Sequence, residues 1–299
     1  MLSIIIPSRS EKFLNKTIED LLAKAKGEVE VIAVLDGWQP TETKTEYWIT
    51  PARIIDPRVI YIEKSISEGM RKAINSGAKV AKGDYLMKID AHCLFMEGYD
   101  LGLKADCEDN WVVIPARYSL DAEQWEIEHN NKPRRDYHYL CYPERGKAHD
   151  WGMHGVEWWD RGVQRADLKY DIDDNMSFQG SCWFMKRKWF TDFLGGMSED
   201  PIYAGWAQEP TEIGCKTWLG GGAVKVNKKV WYAHLHKGRR YPRDYRPDES
   251  GIIKGHNYSA WYWMTNQWKE RIHDMAWLVE KFMPVPTWPE DRIRWVSPI

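Results

Sequence analysis

The stretch Gly83-Asp-Tyr-Leu-Met-Lys-Ile-Asp-Ala-His-Cys-Leu-Phe95 decides how this chain reads. Tyr85 to Ile89 has the length and apolar content of a buried strand, and Asp90 and His92 stand two residues apart at its end. Alternate side chains of an extended backbone point to the same side, so a carboxylate and an imidazole face one space. That pair suits a borderline-hard divalent ion that keeps open positions for phosphate oxygens. A third ligand has to come from elsewhere in the chain. The competing reading is a solvated strand-end Asp with a His capping the next turn.

Upstream, Leu2 to Ile6 reads as a short buried strand followed by the turn Pro7-Ser8-Arg9-Ser10. Phe13, Leu14, Ile18, Leu21, Leu22 and Ala25 recur at helical spacing, which predicts an amphipathic helix over Lys12 to Ala25. Val29 to Leu35 is a second strand stopped by Asp36-Gly37; Arg58 to Glu63 is a third, and Ser67 to Ala81 a second helix. This alternation predicts an α/β fold: an open, mostly parallel sheet with helices on both faces. Ligands of such sheets lie beyond the carboxyl ends of the strands. Pro7 to Ser10, Asp36-Gly37 and Asp90 to His92 should therefore share one crevice.

Past residue 100 the pattern changes. Trp111 to Ala116 is a strand, whereas Ser119 to about Asp171 is polar, aromatic and without a clear period, a natural place for an acceptor site. Ser181 to Met185 reads as a strand, Arg187 to Phe193 as a short helix, and Glu209 to Leu219 as a helix closed by Gly220-Gly221-Gly222. Ala223 to Tyr232 is a further strand leading into Ala233-His234-Leu235-His236. Tyr258 to Phe282 reads as helical, and the Pro-rich tail from Pro284 as an extended arm.

Composition sets outer bounds. The five cysteines form no CxxC pair, which points to a reducing compartment and argues against structural zinc. A formal net charge of -2 gives no global attraction to nucleic acid or anionic membrane. The apolar start is cut by Pro7 and lacks a basic leader, so the expected location is cytoplasmic. Trp and Tyr, 18 and 15 of them, crowd the second half as core and as platforms for ring-shaped ligands.

An ordered set of motifs resembles the nucleotide-sugar glycosyltransferases of family 2 with the A-type fold, and within them most resembles the polypeptide N-acetylgalactosaminyltransferases. Ser3-Ile-Ile-Ile-Pro-Ser-Arg9 is similar to the opening strand, and Val34-Leu-Asp-Gly37 to the uracil-contacting strand end. Glu68-Gly-Met-Arg-Lys-Ala73 and Gly83-Asp84 lead into Ile89-Asp-Ala-His-Cys93, which resembles the Asp-x-His metal motif. Gly205-Trp-Ala-Gln-Glu-Pro-Thr-Glu212 is similar to the Trp-Gly-Gly-Glu-Asn-x-Glu helix, and Ala233-His234 to the third metal ligand.

The resemblance implies a metal-dependent transferase that moves a sugar from a nucleotide diphosphate, UDP foremost, to a hydroxyl. Residues 1–105 would form the nucleotide-sugar half, residues 106–240 the acceptor and catalytic half of the same domain, and residues 241–299 a Trp-rich extension. Asp90, His92 and His234 would hold Mn2+ or Mg2+, with His236 a competitor for the third position. Pro7, Arg9, Asp36, Glu68, Gly69 and Arg71 would bind the nucleotide. Asp36 as a plain Asp-Gly turn residue and Arg71 as part of a simple helix start are the alternatives. Lys237, Arg239 and Arg240 would fold over the phosphates, with Tyr241 stacking on sugar or base.

Glu209 and Glu212 are the acidic candidates for catalysis, and Trp206 would floor the sugar pocket. Glu209-Pro210 departs from the inverting pattern and leaves the stereochemistry open; Pro210 also suits a first helical turn. A hydroxymethylated pyrimidine in DNA is one candidate acceptor, suggested by the basic stretches Lys132-Pro-Arg-Arg135 and Lys237 to Arg246. A nucleotide-sugar-binding module without turnover, or a nucleotidyltransferase, are the competing functional classes.

Overall fold

The computed structural model describes residues 1–37, 53–128, 133–144, 152–203, 208–238, 240–243, 245 and 248–295. Four parallel strands start the sheet: β1 (Leu2–Ser8), β2 (Val29–Asp36), β3 (Val59–Lys64) and β4 (Tyr85–Ile89), in spatial order β4-β1-β2-β3. Helix α1 (Leu14–Lys24) crosses between β1 and β2, and α2 (Met70–Val80) between β3 and β4. The side-chain period of β1 divides the core. Ile4 and Ile6 pack with Leu14, Ile18 and Leu21 on one face, while Ile5 meets Ala73, Ile74 and Ala78 on the other. Helix α2 lies close because Gly77 has no side chain; a Cβ there would fall 2.6 Å from Ile5 Cγ2.

Strand β5 (Cys93–Phe95) and helix α3 (Tyr99–Ala105) precede β6 (Trp111–Asp121), and β7 (Glu126–Ile127) folds back on β6. The stretch read as irregular carries a two-stranded hairpin, β8 (His138–Leu140) with β9 (Gly155–Glu157), then α4 (Trp159–Gln164) and β10 (Ile172–Asp174). Its elements are too short for a period to register in sequence. Strand β11 (Cys182–Lys186) inserts antiparallel between β4 and β6. Helix α5 (Glu209–Leu219) then leads to β12 (Ala223–His234), parallel to β6 and antiparallel to β5 and β10. The outcome is the expected α/β fold with a mixed second half.

Arg187 to Phe193 is helical as read, its last five residues Trp189–Phe193 forming a widened turn. One helical reading changes. Tyr258 to Phe282 is two helices, α6 (Glu249–Met264) and α7 (Met275–Phe282). The break falls where Asn266 takes a left-handed φ of 55° and its Oδ1 accepts from Met275 N, and where Asp274 caps α7 by accepting from Trp277 N at 2.8 Å. Trp263, Leu278, Val285, Trp288 and Trp295 join the apolar cluster that contains Trp183 and Trp218, so the C-terminal segment shares the main core. No helix among the described residues is long and apolar enough to cross a membrane.

Candidate active site with a metal-capable cluster

Strands β1, β2, β4, β6 and β12 run in one direction, so their carboxyl ends line one edge of the sheet. The chain reverses its lateral progress at β1, flanked by β2 and β4, which is the switch point where α/β sheets open a crevice. A cleft of about 660 Å³ lies there, and Pro7, Arg9, Asp36, Gly69, Asp90, His92, Glu209, His234, Lys237, Arg240 and Tyr241 all border it.

Asp90, His92 and His234 offer one ligand atom each, all within 4.8 Å of one another. Asp90 Oδ2 is 3.2 Å from His234 Nε2 and 4.0 Å from His92 Nε2. His92 Nδ1 lies 3.0 Å from Glu11 Oε2. Burial would raise the Glu11 carboxyl, but His92 and Lys237 outweigh it and hold it at about 2. An ionised carboxylate only accepts, so His92 donates through Nδ1 and turns its Nε2 edge toward Asp90. Burial, reinforced by His92, keeps His234 neutral, with its pKa lowered to about 3 against the pull of Asp90. The donor set is thus one carboxylate and two imidazoles, which fits a borderline-hard divalent cation. His236 is differently engaged: its Nε2 takes a hydrogen bond from Arg117 Nη1 at 2.8 Å.

Beneath the cluster, Lys88 rises from the middle of β4 on the same side as Asp90. Its Nζ donates to Asp90 Oδ1 at 2.8 Å, Gly180 O at 2.6 Å and Glu209 Oε2 at 3.2 Å. Burial pushes Asp90 upward, yet Lys88 and His234 prevail and hold it well below the usual carboxylate range. Glu209, 1% exposed, is raised by burial, opposed by Lys88 and by Trp183, whose Nε1 donates to Oε1 at 2.5 Å. One ammonium thus bridges the two carboxyls. The apolar strand Tyr-Leu-Met-Lys-Ile carried the signal for Lys88, since a lysine inside a buried strand needs partners. Glu11 gave no such signal.

The other predicted residues separate by placement. Asp36 borders the cleft but also anchors the start of α2, accepting from Ser67 Oγ (2.7 Å), Glu68 N (2.8 Å) and Gly69 N (2.9 Å). It thereby caps a helix whose own N-cap, Gly69, has no side chain to do so. The Glu68 side chain points to Lys64, outside the cleft. Arg71 and Glu212 pair with each other in the interior, Glu212 also binding Lys216 Nζ at 2.8 Å and Ser198 N at 3.0 Å, so neither is brought to the cleft. Arg71 instead lies over the Tyr203 ring at 4.2 Å.

Arg9 stacks over the Tyr245 ring at 4.5 Å; Lys237 binds Glu11 Oε2 at 2.7 Å; Arg240 binds Glu123 at 2.5 Å; and Tyr241 packs edge-on to Phe13. Arg134 pairs with Asp136 and Arg135 with Glu157, which occupies the described cations of one basic stretch. Trp206, Lys132 and Arg239 fall outside the described residues. Residues not singled out from sequence also border the cleft: His138, His154, Gln208 and His256.

Residues 3–194 match Glycosyl transferase family 2. A putative polypeptide N-acetylgalactosaminyltransferase 13 of Drosophila melanogaster is 24% identical over 258 residues, covering 82% of this chain and 43% of that protein. Polypeptide N-acetylgalactosaminyltransferase 12 of Mus musculus is 25% identical, covering 72% of this chain and 34% of its own length. The chain therefore spans less than half the length of these relatives. Among solved structures, GalNAc-T7 with UDP, GalNAc and Mn2+ superposes with a TM-score of 0.68 at 19% identity, over 88% of this chain and 48% of that one. S. aureus TarS 1-349 in complex with UDP-GlcNAc follows at 0.53 and 13% identity, over 90% of this chain and 68% of that one. The match over residues 3–194 covers most of the parallel sheet and both halves of the Asp-x-His motif, and on it the chain belongs to glycosyl transferase family 2.

Proposed function

We propose that the chain is a metal-dependent glycosyltransferase that carries a sugar from a nucleotide diphosphate, UDP the favoured carrier, to a hydroxyl. The observation that carries this reading is the convergence of Asp90 and His92 with His234, which lies 142 or more residues further along the chain, on one point at the switch of the sheet. A bound Mn2+ or Mg2+ would supply Lewis-acid stabilisation of the negative charge on the leaving diphosphate. GalNAc-T7, bound to UDP and Mn2+, supports that choice of donor and ion.

The chain's own residues do the remaining work. Asp36 accepts the N3–H of a uracil while keeping its grip on the α2 start, since a carboxylate has lone pairs for more than two partners. Gly69, at φ 94° with open space where a Cβ would be, lets ribose approach the helix N-terminus. Pro7 and Arg9 border the same end, and Lys237, Arg240 and Tyr241 close it from the side of the β12 exit. Transfer forms a bond from the acceptor oxygen to the anomeric carbon as that carbon's bond to the β-phosphate oxygen breaks. The electron pair stays with the nucleotide diphosphate, and the hydroxyl proton passes to that phosphate.

Glu209 serves in this scheme to hold Lys88, and through it Asp90, in place; Glu212 and Arg71 are interior supports. The acceptor is an alcohol. For a hydroxymethylpyrimidine in DNA the basic stretches give no distinct support, because Arg134, Arg135, Lys237 and Arg240 each face a carboxylate. The test is UDP release from UDP-sugars with Mn2+ against the same assay with chelator. Asp90→Ala is expected to lower the rate by at least about 100-fold while preserving the melting temperature; activity unaffected by chelator and by the substitution would end the metal-dependent reading.

A further inference from the structure

Lys88 stands in the interior of β4 and is 1% exposed, yet it borders the cleft. An ammonium has three N–H bonds to give, and three acceptors take them: Asp90 Oδ1, Gly180 O and Glu209 Oε2. None remains for a ligand, so this side chain acts through the groups around it. Glu209 is fixed in turn by Trp183 Nε1 on its other oxygen. A Cβ at Gly180 would fall 3.1 Å from Glu209 Oε2, so the glycine leaves the room in which these groups close on one ammonium. The two oxygens of Asp90 are thereby divided. Oδ1 is held by Lys88 at 2.8 Å, whereas Oδ2 faces His234 Nε2 at 3.2 Å and His92 Nε2 at 4.0 Å.

We propose that Lys88 determines which cation the cluster accepts: by holding Asp90 Oδ1 it leaves the carboxylate one oxygen, Oδ2, for a metal. A dication on Oδ1 would lie close to the ammonium and be repelled by it. Small ions of octahedral preference are satisfied by single carboxylate oxygens, whereas Ca2+ takes about six to eight oxygens and gains from bidentate carboxylates. The division of Asp90 therefore works against Ca2+ beyond what the two imidazoles do by their own preference. Lys88 is a positioning residue here, acting through Asp90. The inference rests on the metal-dependent glycosyl-transfer reading and adds ion selectivity to it.

The test uses the full chain with the metals alone. Free Mn2+ is followed by its electron paramagnetic resonance signal, and Ca2+ is added as competitor. The parent should bind Mn2+ at least about 100-fold more tightly than Ca2+, and Lys88→Met should narrow that ratio about tenfold. Both ions carry the same charge, so losing the ammonium changes their attraction alike and the ratio reports the carboxylate. Because Lys88→Met leaves Glu209 buried without its ammonium, Lys88→Met combined with Glu209→Gln is measured beside it and should show the same narrowing. Glu209→Gln alone keeps Lys88 on Asp90 and should hold the parent ratio within about threefold. A cooperative thermal transition shows that each variant is folded. An unchanged ratio in the folded Lys88 variants, or a parent that binds Ca2+ within about tenfold of Mn2+, overturns the proposal. A parent that binds no Mn2+ instead overturns the metal-dependent reading, and the proposal with it.

Discussion

Glu11 Oε2 accepts the Nδ1 proton of His92 across 3.0 Å, and the same carboxylate takes Lys237 Nζ at 2.7 Å. One acidic side chain from the loop after β1 thus orients a candidate metal ligand after β4 and holds the chain leaving β12.

Removing that carboxylate should loosen the imidazole without deleting it. Glu11→Ala is expected to weaken Mn2+ binding by about 10 to 100-fold, as loss of an outer-shell partner does elsewhere, with Glu11→Gln losing less. Isothermal titration of the purified chain with Mn2+ checks this; equal affinities would show that His92 is oriented by something else.

The two histidines at the end of β12 should behave oppositely. His234→Ala is expected to abolish Mn2+ binding in the same titration, whereas His236→Ala should retain it, because His236 Nε2 is occupied by Arg117. Reversal of the two results would reassign the third ligand.

Arg71 and Glu212 are both nearly inaccessible and bonded to each other. Glu212 is the anion shared by Arg71 and Lys216, so Glu212→Ala should cost roughly 3 to 5 kcal/mol of stability and Arg71→Ala less. Urea titration reads the loss directly. The double replacement Arg71→Met with Glu212→Leu should restore much of it, and a single variant as stable as the parent would contradict the pairing.

His138 gives the native chain a pH dependence of known sign. Burial, with Arg117 and Arg135 nearby, lowers its pKa from 6.5 to about 3. The unfolded chain therefore binds this proton first, and stability falls as pH drops through that window by about 1.4 kcal/mol per unit, with the full contribution kept above it. His138→Gln should show a shallower decline in urea midpoint between about pH 6.5 and about pH 4. Parallel declines in parent and variant would show that the ring is protonated in the native state.

Much of the fold was legible because its first half is built from long periodic elements. The strand Tyr85–Ile89 and the helix Glu209–Leu219 have the bounds that patterning predicts, and α1 and α2 lie inside theirs. Between Ser119 and Asp171 the hairpin strands are three residues each, shorter than any detectable period. The α6–α7 break was hidden because Trp and Tyr on several faces blurred the helical stripe; an Asn side chain accepting a distant N–H ends it.

By itself the sequence determined the parallel βαβ start, the edge at which a ligand must lie, and the local pairing of Asp90 with His92, since each follows from spacing along one segment. Only the tertiary structure decided that His234 and not His236 completes the cluster, that Glu212 and Arg71 support the interior, and that His154 and His256 stack at the cleft. Those outcomes depend on register between strands and on which polar groups find partners. Contacts between side chains distant in sequence are set by packing the whole chain into one low-dielectric interior, where an unpaired charge costs more than a local preference can repay.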